Sequence, residues 1–166
     1  ERLILEHERH PNIGSEPAQP FDHVVSTESR QCRFHVGVSG EVVLDRGLAP
    51  TRDDHQMIDA RAEPRFKGEV EPLDPIAGHI PGALNRPFAH NIAADGCFKS
   101  AEVLKQEFSA LLAGRDPASV VHHCGSGVSA VPNLLAMEIA GLGSTGLYAG
   151  SWSEWSNTPG LPCAKG

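Results

Sequence analysis

The sequence predicts an α/β fold in which a central parallel sheet carries helices on both faces. Two observations support this prediction. After Gln56, short apolar runs alternate with segments of helical periodicity, and such alternation favours strands that are joined in parallel through helices. The apolar runs are nearly continuous, which is typical of strands that are buried on both faces of a sheet.

Three short segments are predicted as strands of this sheet. They span residues 57–60, 119–122 and 146–148; the first carries Asp59 next to its last residue, and the second ends in His122. The segment 61–90 is rich in Pro and Gly, which predicts loop with a short strand at 83–85. Residues 41–44 (Glu-Val-Val-Leu) are a further candidate strand because they are short and β-branched.

Helices are predicted between these strands. Ser100 is a suitable N-cap for a helix that ends near Gly114, and its apolar positions share one helical face; they are Leu104, Phe108, Leu111 and Leu112. Pro132 is tolerated only in a first helical turn, so the next helix is expected to begin close to Val128 or Ser129. A last helix is expected from Ser151 to Trp155.

Length and composition predict one folded domain. Of the 166 residues, we assign 51–166 to that domain and 1–50 to a linker or the remnant of a preceding domain. The net charge of −7 argues against a nucleic-acid surface. No apolar run is long enough to cross a bilayer and no signal peptide opens the chain, and four scattered cysteines fit a reducing compartment, so a cytoplasmic location is expected.

Cys124 lies where a predicted strand passes into a predicted helix. Gly125 and Gly127 follow it, and glycine permits the tight turn that brings backbone N–H groups together around one anion. The helix N-terminus adds partial positive charge at the same place, which favours the thiolate form of the cysteine. A buried and inert cysteine is the alternative interpretation; Cys32, Cys97 and Cys163 lack such a loop and are predicted to be non-catalytic.

Four ordered motifs resemble the catalytic domain of two-domain rhodaneses, most closely that of the 3-mercaptopyruvate sulfurtransferases. They cover roughly residues 56–155 and comprise Ile58-Asp59-Ala60-Arg61 with Arg65-Phe66, the segment 78–85 (Gly-His-Ile-Pro-Gly-Ala-Leu-Asn), the Cys124 loop, and the segment 148–155 (Tyr-Ala-Gly-Ser-Trp-Ser-Glu-Trp). The resemblance implies a rhodanese-like fold and a sulfurtransferase that carries sulfur as a persulfide on Cys124.

The resemblance also implies roles for individual residues. Cys124 and Ser126 are the expected catalytic residues, and Asp59 and Arg61 are expected to support the structure. Arg65 is expected to bind the donor's carboxylate because its guanidinium forms a planar fork. The remaining expected substrate-binding residues belong to the loop after the cysteine; they are Gly125, Gly127, Val128 and Ser129.

The sequence departs from that family in three places. A second substrate arginine is expected about nine residues after Arg65, where Leu73 or Asp74 stands. The helix after the loop begins with the unusual run Ala-Val-Pro-Asn at 130–133. The residues before the domain are too few for the inactive domain that precedes it in tandem rhodaneses, and that domain supplies an acid and a histidine thought to work with the serine at position 126.

The expected reaction moves sulfur from 3-mercaptopyruvate to a thiophilic acceptor such as cyanide, a small thiol or a thioredoxin-like protein. Two alternatives remain open. Thiosulfate is a second candidate donor, against which the uncharged Gly-Ser-Gly loop argues. A non-catalytic rhodanese-like binding module is the alternative of another class. Neither a metal nor an organic cofactor is required, and no nucleic acid or membrane partner is expected.

Overall fold

The computed structural model describes residues 55–166. Within them, four strands form one sheet and four α-helices lie between or after the strands. The elements follow in the order β1 (Gln56–Asp59), α1 (Glu63–Phe66), β2 (Leu84–Asn85), α2 (Ala101–Leu112), β3 (Val120–His123), α3 (Val131–Ile139), β4 (Gly146–Leu147) and α4 (Ser151–Asn157). The candidate strand at 41–44 and the segment 1–50 lie outside the described residues.

The sheet has the strand order β2-β1-β3-β4, and all three pairings are parallel. Strands β1 and β3 are central, and every residue of both is buried. Their register places Ile58 beside His122 and Asp59 beside His123. Because the strands are parallel, their carboxyl ends meet at one edge of the sheet, where ligands bind in folds of this class. The predicted parallel sheet is therefore confirmed.

Helices cover both faces of the sheet, as the sequence predicts. On one face, Leu104, Phe108 and Leu112 of α2 pack with Ala136 and Met137 of α3. On the other face, Trp152 and Trp155 of α4 pack against β1 and β3. The strand residues that they contact alternate along each strand with those that face α2 and α3. The two tryptophans close this second core.

Helix α2 begins and ends as its sequence predicts. The Ser100 hydroxyl accepts a hydrogen bond from the Val103 amide, which satisfies one of the unpaired donors of the first turn. Ala113 takes a left-handed conformation at the C-cap and Gly114 follows with a φ of 87°. Between these ends, Leu104, Phe108 and Leu112 are the buried residues of the helix.

The predicted start of α3 is wrong by two to three residues. The helix begins at Val131, after a turn in which the Val131 amide donates to the Val128 carbonyl at 3.2 Å. Pro132 does lie in the first helical turn, as expected. Val128 and Ser129 consequently belong to the loop after Cys124 and not to the helix.

The end of the chain lies against the segment before β2. His79 and Ala164 exchange two backbone hydrogen bonds of 2.9 Å, and the Gly166 amide donates to the Lys67 carbonyl. Cys163 therefore lies beside a residue that is fixed by backbone hydrogen bonds. Helix length and apolarity in residues 55–166 fall short of what a transmembrane segment needs.

Candidate active site

Cys124 follows the last residue of β3 and lies at the ligand-binding edge of the sheet. Its side chain is buried, with 1% of the residue exposed, and it packs with Ala60, Ala130 and Leu147. The loop 125–130 separates it from α3. Strand end, cysteine and loop thus follow one another as the sequence predicts, whereas burial of the thiol is the feature expected of the alternative interpretation.

The first carbonyl groups of this loop are bound by protein donors, whereas its amide groups are not. The carbonyl oxygens of Cys124 and Gly125 accept hydrogen bonds from the Trp152 and Ser153 amides at 3.0 and 2.9 Å. Within residues 55–166, the amide groups of positions 125–130 donate no hydrogen bond to any protein acceptor. A run of amide donors beside a thiol is the arrangement that binds an anion.

The two glycines of the loop are needed for different reasons. Gly127 has a φ of 83°, and a Cβ atom there would lie 2.6 Å from the Ala149 carbonyl oxygen. Gly125 lacks a positive φ, but a Cβ atom there would lie 3.4 Å from Nη1 of Arg65. Gly127 therefore permits the turn, whereas a side chain at position 125 would contact the arginine.

Arg65 lies on α1 and extends to the Cys124 loop. Its Nη2 atom donates to Glu71 at 2.6 Å and to Asp74 at 3.3 Å. Its Nη1 atom makes no hydrogen bond to any residue in the range 55–166 and faces Gly125. Its Nε atom is buried without a partner there. The guanidinium thus binds two carboxylates through Nη2 and presents Nη1 as an unused donor to the cysteine loop.

A second arginine is fully enclosed next to the first. Arg61, 3% exposed, binds both carboxylate oxygens of Asp59 and also donates to the Gly78 carbonyl at 2.7 Å. It reaches Glu71 through Nη1 at 3.2 Å. Glu71 therefore bridges Arg61 to Arg65, and the expected supporting residues Asp59 and Arg61 belong to the same charge network.

Glu71 is the centre of this network. Burial acts to raise the pKa of its carboxyl group, but hydrogen bonds from Arg65 and from the Leu73 and Asp74 amides outweigh burial and hold the pKa below its ordinary value. The carboxylate is therefore ionised at neutral pH. Asp74 has a different second partner, since its Oδ1 atom accepts a hydrogen bond of 2.7 Å from the Ser153 hydroxyl.

Two histidines precede Cys124, and both are wholly buried. Burial lowers the pKa of His122 to about 3, with a smaller contribution from His123, and burial also lowers the pKa of His123. Both rings are thus neutral at physiological pH and unsuited to act as acids. Among residues 55–166, no His, Cys, Asp and Glu side chains form a group that could hold a metal ion.

The other predicted site residues lie on the rim of the loop. Ser126 and Val128 are exposed, and Ser129 is half-buried. Leu73, one of the two residues expected at the position of a second arginine, is 78% exposed, whereas Asp74 contacts Arg65 directly. Of the two candidates for that position, Asp74 is therefore the one that lies beside Arg65.

Sequence reasoning missed three residues of the site. Ser151 accepts a hydrogen bond from the Cys124 amide at 3.1 Å, Ser153 binds the Asp74 carboxylate, and Glu71 joins the two arginines. The signal for the serines was present, because both belong to the motif at 148–155. The signal for Glu71 was a carboxylate close in sequence to two arginines.

Comparison with known proteins agrees with this architecture. The family described as the rhodanese-like domain matches residues 46–158. A Pseudomonas aeruginosa protein named "Probable 3-mercaptopyruvate sulfurtransferase" is 56% identical over 110 residues, which are 66% of this chain and 39% of that protein. A Mycobacterium tuberculosis protein named "Putative thiosulfate sulfurtransferase SseB" is 44% identical over 113 residues, or 66% of this chain and 38% of that protein.

A solved structure shows the same fold. The 3-mercaptopyruvate sulfurtransferase of Leishmania major superimposes with a TM-score of 0.56 at 34% identity, over 66% of this chain and 32% of that chain. The chain spans about two-fifths of the length of the two curated relatives. The family match covers more than half of the chain, and the protein therefore belongs to the rhodanese-like domain family.

Proposed function

We propose that this protein is a sulfurtransferase that takes sulfur from 3-mercaptopyruvate and carries it as a persulfide on Cys124. One observation carries the proposal: the thiol lies at the carboxyl end of β3, beside a loop whose amide groups have no acceptor among residues 55–166. These donors would stabilise a thiolate and, after the first step, the equally anionic persulfide. The names of the relatives support the same chemistry.

The first half-reaction transfers one sulfur atom to the protein. The Cys124 thiolate attacks the donor sulfur, a sulfur–sulfur bond forms and the carbon–sulfur bond of 3-mercaptopyruvate breaks. The electron pair of that bond goes to the enolate of pyruvate, which takes up a proton. We assign to Ser126 the stabilisation or protonation of this enolate, because its side chain is exposed on the loop beside the thiol.

Arg65 would orient the donor. Its Nη1 atom faces the loop at Gly125 and is the group that a donor carboxylate would reach. Gly127, Val128 and Ser129 complete the loop that would surround the transferred sulfur. Asp59 and Arg61 would act indirectly, because they hold Glu71 and so fix the position of Arg65.

The second half-reaction returns the outer sulfur to an acceptor. Cyanide, a small thiol or a thioredoxin-like protein attacks the outer sulfur, and the Cys124 thiolate leaves and is regenerated. The scheme uses neither a metal nor an organic cofactor. We propose the cytoplasm as the location of this protein. We assign the reaction to residues 51–166.

Two other functions deserve the same test. Thiosulfate is a second candidate donor because one relative, 44% identical over 113 residues, is named for that activity. A non-catalytic binding module is the alternative of another class, and Cys124 at 1% exposure is the observation that favours it.

Persulfide formation separates these functions. The protein is treated with each donor in turn, and its mass is measured before and after. A gain of about 32 Da, one sulfur atom, is expected with 3-mercaptopyruvate. The gain should be absent in Cys124→Ser and retained in Cys163→Ser, which removes an exposed thiol away from the loop. Absence of the gain with every donor would leave the binding module as the better function.

A further inference from the structure

The donor-facing arginine of this site is shared between two carboxylates. Nη2 of Arg65 lies 2.6 Å from Oε1 of Glu71 and 3.3 Å from Oδ2 of Asp74. The Glu71 and Asp74 side chains are only 4% and 6% exposed. Because solvent screens them little, both charges act on whatever binds to Arg65.

The network as a whole carries an excess of negative charge. Asp59, Arg61, Glu71, Arg65 and Asp74 are linked in that order by ion pairs. Three carboxylates thus face two guanidinium groups. An anionic donor at Arg65 adds to this excess, and each further negative charge on the donor makes binding less favourable.

The two carboxylates are not equivalent. Glu71 is held by Arg61, Arg65 and two backbone amides, so it belongs to the framework. Asp74 makes the longer contact with Arg65, and its other oxygen is bound by the Ser153 hydroxyl. The Ser153 amide in turn binds the Gly125 carbonyl. Asp74 is therefore the carboxylate that is tied to the cysteine loop.

We propose that Asp74 is a specificity-determining residue that restricts the donor to a monoanion and disfavours dianions such as thiosulfate. This inference rests on the proposed sulfurtransferase function and deepens it. A monoanionic carboxylate needs only Nη1 of Arg65, the unused donor that faces the loop at Gly125. A dianion brings a second negative charge towards Asp74, and Arg61, the other arginine of the network, is already bound to Asp59, Glu71 and the Gly78 carbonyl.

The proposal has a quantitative consequence. Coulomb energy is linear in the charge of the ligand. Removal of the Asp74 charge should therefore raise the rate of persulfide formation for both kinds of donor. The factor for a dianionic donor should be about the square of the factor for a monoanionic donor. A gain of about threefold for 3-mercaptopyruvate would correspond to about tenfold for thiosulfate.

The experiment compares kcat/KM of the two donors in four proteins. Asp74→Asn removes the charge and keeps the shape, and Asp74→Glu keeps the charge. Glu69→Gln is the matched control because Glu69 is an exposed acid of the same loop that makes no ion pair within residues 55–166. The thiosulfate-to-mercaptopyruvate ratio should rise at least about threefold in Asp74→Asn and stay near the unsubstituted value in the other two. A ratio that is unchanged in Asp74→Asn, or that rises equally in Glu69→Gln, would overturn the proposal.

A measurement on the unsubstituted protein keeps the proposal testable without sulfur transfer. Cys124 is alkylated with neutral iodoacetamide in the presence of pyruvate or of sulfate, and modification of the Cys124 peptide is followed by mass spectrometry. Pyruvate should protect at a lower concentration than sulfate. Equal or better protection by sulfate would refute the role of Asp74. Failure of persulfide formation with both donors would refute the proposed function, but the comparison of pyruvate with sulfate would still test the role of Asp74.

Discussion

The Ser151 hydroxyl joins α4 to the backbone of Cys124. Its Oγ atom accepts a hydrogen bond from the Cys124 amide at 3.1 Å and donates to the Tyr148 carbonyl at 2.9 Å. Ser151 is wholly buried and has a φ of 53°, in the left-handed region that non-glycine residues rarely adopt. The serine is thus kept in a strained conformation at the position where its hydroxyl fixes the start of the cysteine loop.

Substitution of Ser151 should separate the hydrogen bond from the strain. Ser151→Ala leaves the buried Cys124 amide without an acceptor and should lower the free energy of unfolding by about 1–3 kcal/mol. Ser151→Gly loses the same hydrogen bond but relieves the left-handed strain, so it should be less destabilised by about 1 kcal/mol. Urea unfolding of both variants measures the difference, and equal stabilities would show that the φ of 53° stores no strain.

Gly127 should be the least replaceable glycine of the loop. Gly127→Ala meets both the positive φ and the Ala149 carbonyl oxygen at 2.6 Å, so the loop must move. Gly114→Ala is the matched control, because Gly114 has a similar φ of 87° and no atom within 4 Å of the added Cβ.

The two variants should therefore differ in kind. Gly114→Ala should cost about 1 kcal/mol of stability and leave persulfide formation unchanged. Gly127→Ala should cost more in urea unfolding and should slow persulfide formation at least about tenfold. Equal behaviour of the two variants would mean that the contact with Ala149 is relieved without displacing the loop.

Much of the sheet could be predicted from the sequence because its signals are local. The apolar runs at 57–60 and 119–122 overlap β1 and β3, displaced by one residue. The Ser100 cap fixed the start of α2 correctly. These features depend on residues that are adjacent in the chain, where composition and periodicity carry the information.

The electrostatics of the site could not be predicted in the same way. Arg65 was expected to face a donor, but its pairing with Asp74 depends on the path of the loop between them, for which the sequence has no periodic signal. The start of α3 was misplaced because Pro132 fits any position in a first turn. The role of Ser151 depends on a positive φ, which cannot be predicted for a serine from the sequence.

The buried pair of Asp59 and Arg61 should be essential for stability. Their Oδ2 and Nη2 atoms are 2.6 Å apart, and both side chains are almost inaccessible to solvent. Arg61→Met would leave a buried carboxylate unpaired and should lower the free energy of unfolding by about 3–5 kcal/mol. Asp59→Asn in the same protein should recover part of the loss, because it removes the uncompensated charge.

An exposed ion pair provides the control for that measurement. Lys67 and Glu63 are also 2.6 Å apart, but their side chains are 42% and 59% exposed. Lys67→Met should change the free energy of unfolding far less than Arg61→Met does in the same urea titration, because solvent screens an exposed pair. Comparable losses of free energy of unfolding in Lys67→Met and Arg61→Met would show that burial does not increase the effect of breaking the pair of Asp59 and Arg61.

Buried His122 should make the fold sensitive to mild acid. Its pKa is lowered by burial to about 3, whereas an unfolded histidine titrates near about 6.5. Between these values the unfolded chain binds the additional proton, so stability is fully present above about pH 6.5 and falls by about 1.4 kcal/mol per pH unit as the pH decreases.

The variant His122→Leu tests this dependence. The free energy of unfolding is measured by urea titration at pH 7 and at pH 5, and the loss between the two should be roughly 2 kcal/mol smaller in His122→Leu than in the unsubstituted protein. His123, whose pKa burial also lowers, should maintain part of the dependence. Exposed His90 is the control, and an equal reduction in His90→Gln would contradict the assignment of the effect to burial.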